Sequence, residues 1–142
     1  KNVYFRPHFN DYGWSLSEYL TSNDSDINII DPRKESLERN LKKFKSVINT
    51  ADTTAVIKCF HKDILNMGLI DPQIYFDNNV PEIIKGLYDN KVYFREPLHL
   101  IEFLKDISHN QLTAENLIDR DQAISDYLKY QQDEQIKNVV YE

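Results

Sequence analysis

Between positions 37 and 67 the apolar residues recur at helical spacing. Leu37, Leu41, Phe44 and Ile48 fall four, three and four apart, on one face of a helix. Asp31-Pro32 supplies its start, with Asp31 as N-cap and Pro32 at the first helical position, where a missing N–H costs nothing. Val56, Phe60, Ile64 and Met67 repeat the stripe, with Asp52 or a neighbouring Thr as cap and Gly68 placed to end it. The short joint at 49–52 then predicts an antiparallel helical hairpin over residues 33–68. Pro81 opens a further helix through Ile83, Ile84 and Leu87. Pro97 opens another, with Leu100, Ile101, Leu104 and Ile107 on its apolar face. A last helix is predicted over roughly 120–138, with Ile124, Tyr127, Leu128 and Ile136 inward. Residues 1–12 and 90–95 alternate aromatic and β-branched side chains and are expected to be extended. The expected fold is therefore mainly α: antiparallel helical hairpins with at most short extended segments, in one domain spanning 1–142.

The chain also echoes itself. Val3-Tyr4-Phe5-Arg6 returns as Val92-Tyr93-Phe94-Arg95, each followed shortly by Pro and His. Ile29-Ile30-Asp31-Pro32 is answered forty residues on by Leu69-Ile70-Asp71-Pro72, and more faintly by Leu117-Ile118-Asp119-Arg120. That period is in the range of stacked helical repeats. The simpler account is that an apolar pair fills the core and Asp caps the next helix, chemistry that draws on few residue types.

Composition narrows the classes. Three Gly and five Pro in 142 residues argue against an all-β protein, because tight hairpins draw on Gly. The apolar runs are too short to span a membrane as a helix. The opening Lys1-Asn2-Val3-Tyr4 lacks the apolar stretch of a signal peptide, and a single cysteine, Cys59, fits a reducing compartment, so a cytoplasmic location is expected. The net charge of −6 is unevenly spread. Residues 33–48 carry six cations (Arg33, Lys34, Arg39, Lys42, Lys43, Lys45) against Glu35 and Glu38. Residues 112–142 carry seven acids against Arg120, Lys129 and Lys137. An acidic surface disfavours nucleic acid and steers basic partners.

No catalytic or metal-binding constellation stands out. His8, His61, His99 and His109 form no paired zinc motif, Cys59 stands alone, and Gly13, Gly68 and Gly86 are too scattered for a phosphate loop. His8 and His99 lie near Arg6 and Arg95, but acid–base chemistry would require the two echoed segments to converge. The expectation is a binding protein rather than an enzyme, with no cofactor and no metal.

The segment from Tyr4 to Trp14 is dense in aromatics, which give large contact area with few rotors. Its run Phe9-Asn10-Asp11-Tyr12, followed by Ser15-Leu16-Ser17-Glu18-Tyr19-Leu20, resembles the opening of small immunity proteins of bacterial contact-dependent growth-inhibition systems. The resemblance covers about twenty residues; the remainder is similar only in size, acidity and helical pattern. It implies a cytoplasmic protein that binds the toxin domain of a large secreted effector, commonly a nuclease, and occludes its basic cleft. Carboxylates would mimic phosphates and pair with cleft cations, while aromatic anchors would slow dissociation. The residues expected to carry that contact are Asp11, Tyr12 and Trp14, with Asp119, Asp121, Asp126, Tyr130 and Glu134 along the last helix. The alternative is a phage or plasmid regulatory protein binding DNA or a protein partner through a basic helix over 33–48.

Overall fold

A computed structural model describes residues 3–7, 15–23, 26–51, 53–76, 79–109 and 114–140, the side chains of 16 and 135–140 excepted. The chain divides into two compact units, 1–44 and 45–142.

The first unit is built on a parallel pair. Strand β1 (Val3–Phe5) runs beside β2 (Ile27–Ile29), with Val3 opposite Ile27 and Phe5 opposite Ile29. Helix α1 (Leu16–Asn23) connects them, and a short α2 (Leu37–Leu41) follows, capped by the Ser36 hydroxyl accepting from the Arg39 N–H. Asp31 does not cap a helix. Its carboxylate accepts from the Arg33 N–H two residues on, closing a turn before α2.

The second unit holds a three-stranded parallel sheet, β3 (Ser46–Asn49), β4 (Leu65–Leu69) and β5 (Tyr93–Phe94), in the spatial order β3-β4-β5. Parallel neighbours need crossovers. Helix α3 (Thr54–Phe60) makes the first; α4 (Pro72–Phe76) and α5 (Glu82–Asp89) make the second. Helices α6 (Pro97–Ser108) and α7 (Ala114–Val140) complete the chain. Period-two alternation gives the sheet two cores, one on each face. Met67, between Leu65 and Leu69, packs with Phe94 and with Leu100 and Phe103 of α6. On the other face Tyr93 packs with Val56 and Phe60 of α3, Ile84 and Leu87 of α5, and Ala123 and Tyr127 of α7. The sheet is thus covered on both faces, as parallel sheets require.

This architecture is α/β and corrects the expectation of a mainly helical fold of antiparallel hairpins or stacked helices. The helices opened by Pro81 and Pro97 and the long last helix are present, and the extended segments fall at β1 and β5. The hairpin over 33–68 is not. The first half of that span splits into a turn, the five-residue α2 and strand β3; Ile64, Met67 and Gly68 leave the second helix, which ends at Phe60. A single basic helix over 33–48 is therefore not formed: of its six cations only Arg39 lies in α2, and the others lie in the turns and connections around it.

Candidate functional site

Parallel pairing gives the second unit a chemically distinct edge. The carboxyl ends of β3, β4 and β5 all point one way, and each strand there meets a loop. After β3 come Thr50 and Thr53. The Thr53 hydroxyl accepts from the Ala55 N–H at 3.3 Å and starts α3. After β4 comes Asp71, whose carboxylate accepts from the Gln73 N–H at 2.9 Å and starts α4. After β5 come Arg95 and Glu96, both exposed, with Glu96 at the N-cap of α6 and His99 exposed in its first turn. Exposed apolar side chains occur on the elements that leave this edge: Ile74 and Tyr75 on α4, Leu98 and Ile101 on α6.

Polar atoms are also held beneath α3. Asn49 ends β3, and its Oδ1 accepts a long contact from the Cys59 thiol at 3.7 Å. Burial pushes the Cys59 thiol above its ordinary pKa, with the Asn49 contact acting weakly the other way. Asn66 donates through Nδ2 to the carbonyls of Cys59 and Ile64, at 3.1 and 2.9 Å. Among the described residues, Asn49 Nδ2 and Asn66 Oδ1 are buried without a partner. Cys59 is thus a buried core thiol whose ionisation is disfavoured.

The first unit has a polar network after β1. Arg6 donates from Nε to Asn40 Oδ1 at 3.3 Å and from Nη2 to the Glu35 carbonyl at 3.2 Å. Buried Asn40 donates to the Glu35 carboxylate, and Lys43 Nζ meets the same carboxylate at 2.9 Å. The Lys43 hydrogen bond, chiefly, holds the Glu35 carboxyl below the ordinary carboxylate range, against a partial desolvation penalty. A depressed folded-state pKa means that this contribution to stability is present above the ordinary carboxylate pKa. It is lost as the pH falls through the folded value. Lys43→Met is expected to move Glu35 back toward that ordinary range; carboxyl titration by NMR checks it, and an unmoved Glu35 would reject the pairing. Lys43 thus acts as an ion-pair partner within its own unit.

The acids expected to bind a partner are distributed unevenly. Asp11, Tyr12 and Trp14 lie outside the described residues. Asp119, Asp121 and Asp126 are exposed on α7, while Tyr130 and Glu134 are half-buried. At about 100° per residue, Asp119 and Asp126 share a flank with Glu115 and Asp133, both exposed, and Asp121 faces nearly opposite. Gln122 donates to Asp126 at 2.8 Å, and exposed Lys129 borders the same flank. Tyr130 and Glu134 turn toward the buried side with Ala123 and Tyr127. The helix therefore brings Asp119 and Asp126 together but not Asp121, and it adds Glu115 and Asp133, whose heptad-like spacing from Asp119 was readable in the sequence.

No protein family, curated protein or solved structure matches this chain. Among the described residues no group of three or more His, Cys, Asp or Glu is arranged to hold a metal ion. Nor is any described helix long and apolar enough to cross a membrane. The residues of the strand carboxyl ends were visible in the sequence only as cap and turn chemistry. The one signal that could have singled them out was the echo Val-Tyr-Phe-Arg, which closes a parallel strand with Arg both times.

Proposed function

We propose that residues 45–142 bind a phosphorylated small molecule of nucleotide type at the carboxyl edge of the β3-β4-β5 sheet. The observation that supports this is the parallel alignment of all three strands, which collects Thr50, Thr53, Asp71 and Arg95 in loops at one edge. In open parallel α/β sheets, ligands bind in the crevice outside the strand carboxyl ends, so the reading is an analogy of architecture supplemented by a cation and hydroxyl donors. Binding alone is proposed, with no reaction assigned. The lone buried Cys59 supports a reducing, cytoplasmic setting. The test is a thermal-shift panel of nucleoside mono- and diphosphates against their unphosphorylated nucleosides. A ligand at a hundredfold excess over its Kd stabilises the folded chain by about 2.7 kcal/mol, a rise in Tm of about 13 °C for a unit this size. Indifference to every phosphorylated probe at high concentration would sink the proposal.

A second reading keeps the chain as an immunity protein that occludes a toxin, supported by the exposed flank Glu115, Asp119, Asp126 and Asp133 of α7. Such a flank would pair with the basic cleft of a nuclease domain. The discriminating assay mixes the chain with any nuclease domain encoded by a neighbouring open reading frame. Loss of nuclease activity at one-to-one ratio, restored by reversing Asp119, Asp126 and Asp133 to Lys, would favour it. Undiminished nuclease activity would remove it.

A further inference from the structure

The repeated Val-Tyr-Phe-Arg ends two parallel strands with the same cation, and the two cations are used differently. Arg6 is turned inward within its unit, donating to Asn40 and to the Glu35 carbonyl. Arg95 is exposed, and among the described residues no carboxylate pairs with it. Its guanidinium lies instead 5.2 Å over the ring of Tyr88. That ring is itself fixed. The Tyr88 hydroxyl donates to the Ile70 carbonyl just past β4 at 2.8 Å, and the ring stands edge-on to buried Tyr93 at 5.6 Å. The cation is thus held at the carboxyl edge by a platform tied to the β4 and β5 strand ends.

Stacking occupies the face of a guanidinium and leaves its in-plane N–H donors free, the donors that match phosphate oxygens two at a time. The side chain is also partly ordered before any ligand arrives, so less rotamer freedom is lost on binding. The chain is acidic overall and Glu96 adjoins Arg95, so a general positive field is not what would draw an anion here. A short, directed contact is. We infer that Arg95 is the anion anchor of this edge and takes the phosphate or diphosphate of the bound molecule. This inference rests on the nucleotide-type reading above and adds to it the residue that recognises the charge.

The test is isothermal titration of the full chain and of Arg95→Ala and Arg95→Lys with ADP, CDP, inorganic pyrophosphate and the two unphosphorylated nucleosides. The wild-type chain is expected to bind at least one phosphorylated probe. Arg95→Ala should weaken that binding by about tenfold or more, the scale of a lost charge-assisted hydrogen bond. Arg95→Lys should recover only part of it, and any affinity for the bare nucleosides should be unchanged. An exposed position lets the urea midpoint stay at the wild-type value, which separates lost binding from lost folding. Equal phosphate affinity in wild type and Arg95→Ala overturns the anchor while leaving the edge reading intact. If the wild-type chain binds none of the phosphorylated probes, the edge reading falls and the anchor falls with it.

Discussion

Gly68→Ala is expected to lower the stability of the 45–142 unit by about 1–3 kcal/mol, the range for overpacking a filled core, and Gly68→Val by more. Gly68 lies in the middle strand β4 directly beside Tyr93. A Cβ there would stand 2.6 and 2.9 Å from Cδ1 and Cε1 of the Tyr93 ring and 3.0 Å from Cδ1 of Ile70. The ring has nowhere to retreat. It is 1% exposed, 6.2 Å from Phe60 and 5.6 Å from Tyr88 between centroids. Urea unfolding measures the loss as a fall in midpoint with unchanged slope. Gly86→Ala is the matched control. Nothing lies within 4 Å of a Cβ at Gly86, which sits inside α5, so that substitution should raise stability by about 0.5–1 kcal/mol through helix propensity. Equal effects at the two glycines would refute the close approach of β4 to Tyr93.

Arg120→Met is expected to cost about 2–4 kcal/mol despite replacing a charge with an apolar chain of similar length. Arg120 is 3% exposed and, among the described residues, binds no carboxylate directly; it donates to the carbonyls of Lys91 and Asn66, and its guanidinium lies 4.7 Å over the Phe103 ring. It thereby fastens α7 to Lys91, two residues before β5, and to β4. Met would leave two buried carbonyls unpaired, and that penalty outweighs the relief of no longer burying a cation. Arg120→Lys should rescue little, because one ammonium does not reproduce the planar fork that spans two carbonyls. Desolvation lowers the Arg120 pKa from its ordinary value to about 10, with Asp121 opposing the shift. A cation depressed in the folded state binds fewer protons there than in the unfolded chain between those two values. Its contribution to stability must therefore rise with pH across that window and be at its lowest below about 10. Arg120→Met should abolish that alkaline rise, a signature that simple loss of packing would not produce.

Much of the second unit's helical frame was legible. Pro81 and Pro97 mark helix starts because a missing N–H is harmless there, and the long polar-apolar period of α7 has no competing reading. The sheet was not legible, for two physical reasons. Strand β4 is buried on both faces, so Leu65-Asn66-Met67-Gly68-Leu69-Ile70 shows no clean alternation and passes for the end of a helix. Strand β3 is four residues long, and Leu37, Leu41, Phe44 and Ile48 share a helical spacing by coincidence: only the first two lie in α2, and Ile48 lies in β3, 45% exposed. The site suffered the same fate. Asn49, Asp71 and Arg95 meet at one edge only because parallel pairing joins positions far apart in sequence, which no local pattern announces. The acids of α7, by contrast, could be counted in advance. Their division into a shared flank and an opposed Asp121 needed only the helix period, once the helix was known to begin at Ala114.

The measurement that tests the carboxyl-edge proposal most directly is a titration of the amide resonances of the full chain with a nucleoside diphosphate. The account predicts saturable shifts at Asn49, Thr50, Thr53, Asp71, Arg95 and His99, with Asp119 and Asp126 of α7 unmoved. Shifts confined to the amino ends of the strands or to α7, or none at any concentration, would contradict it.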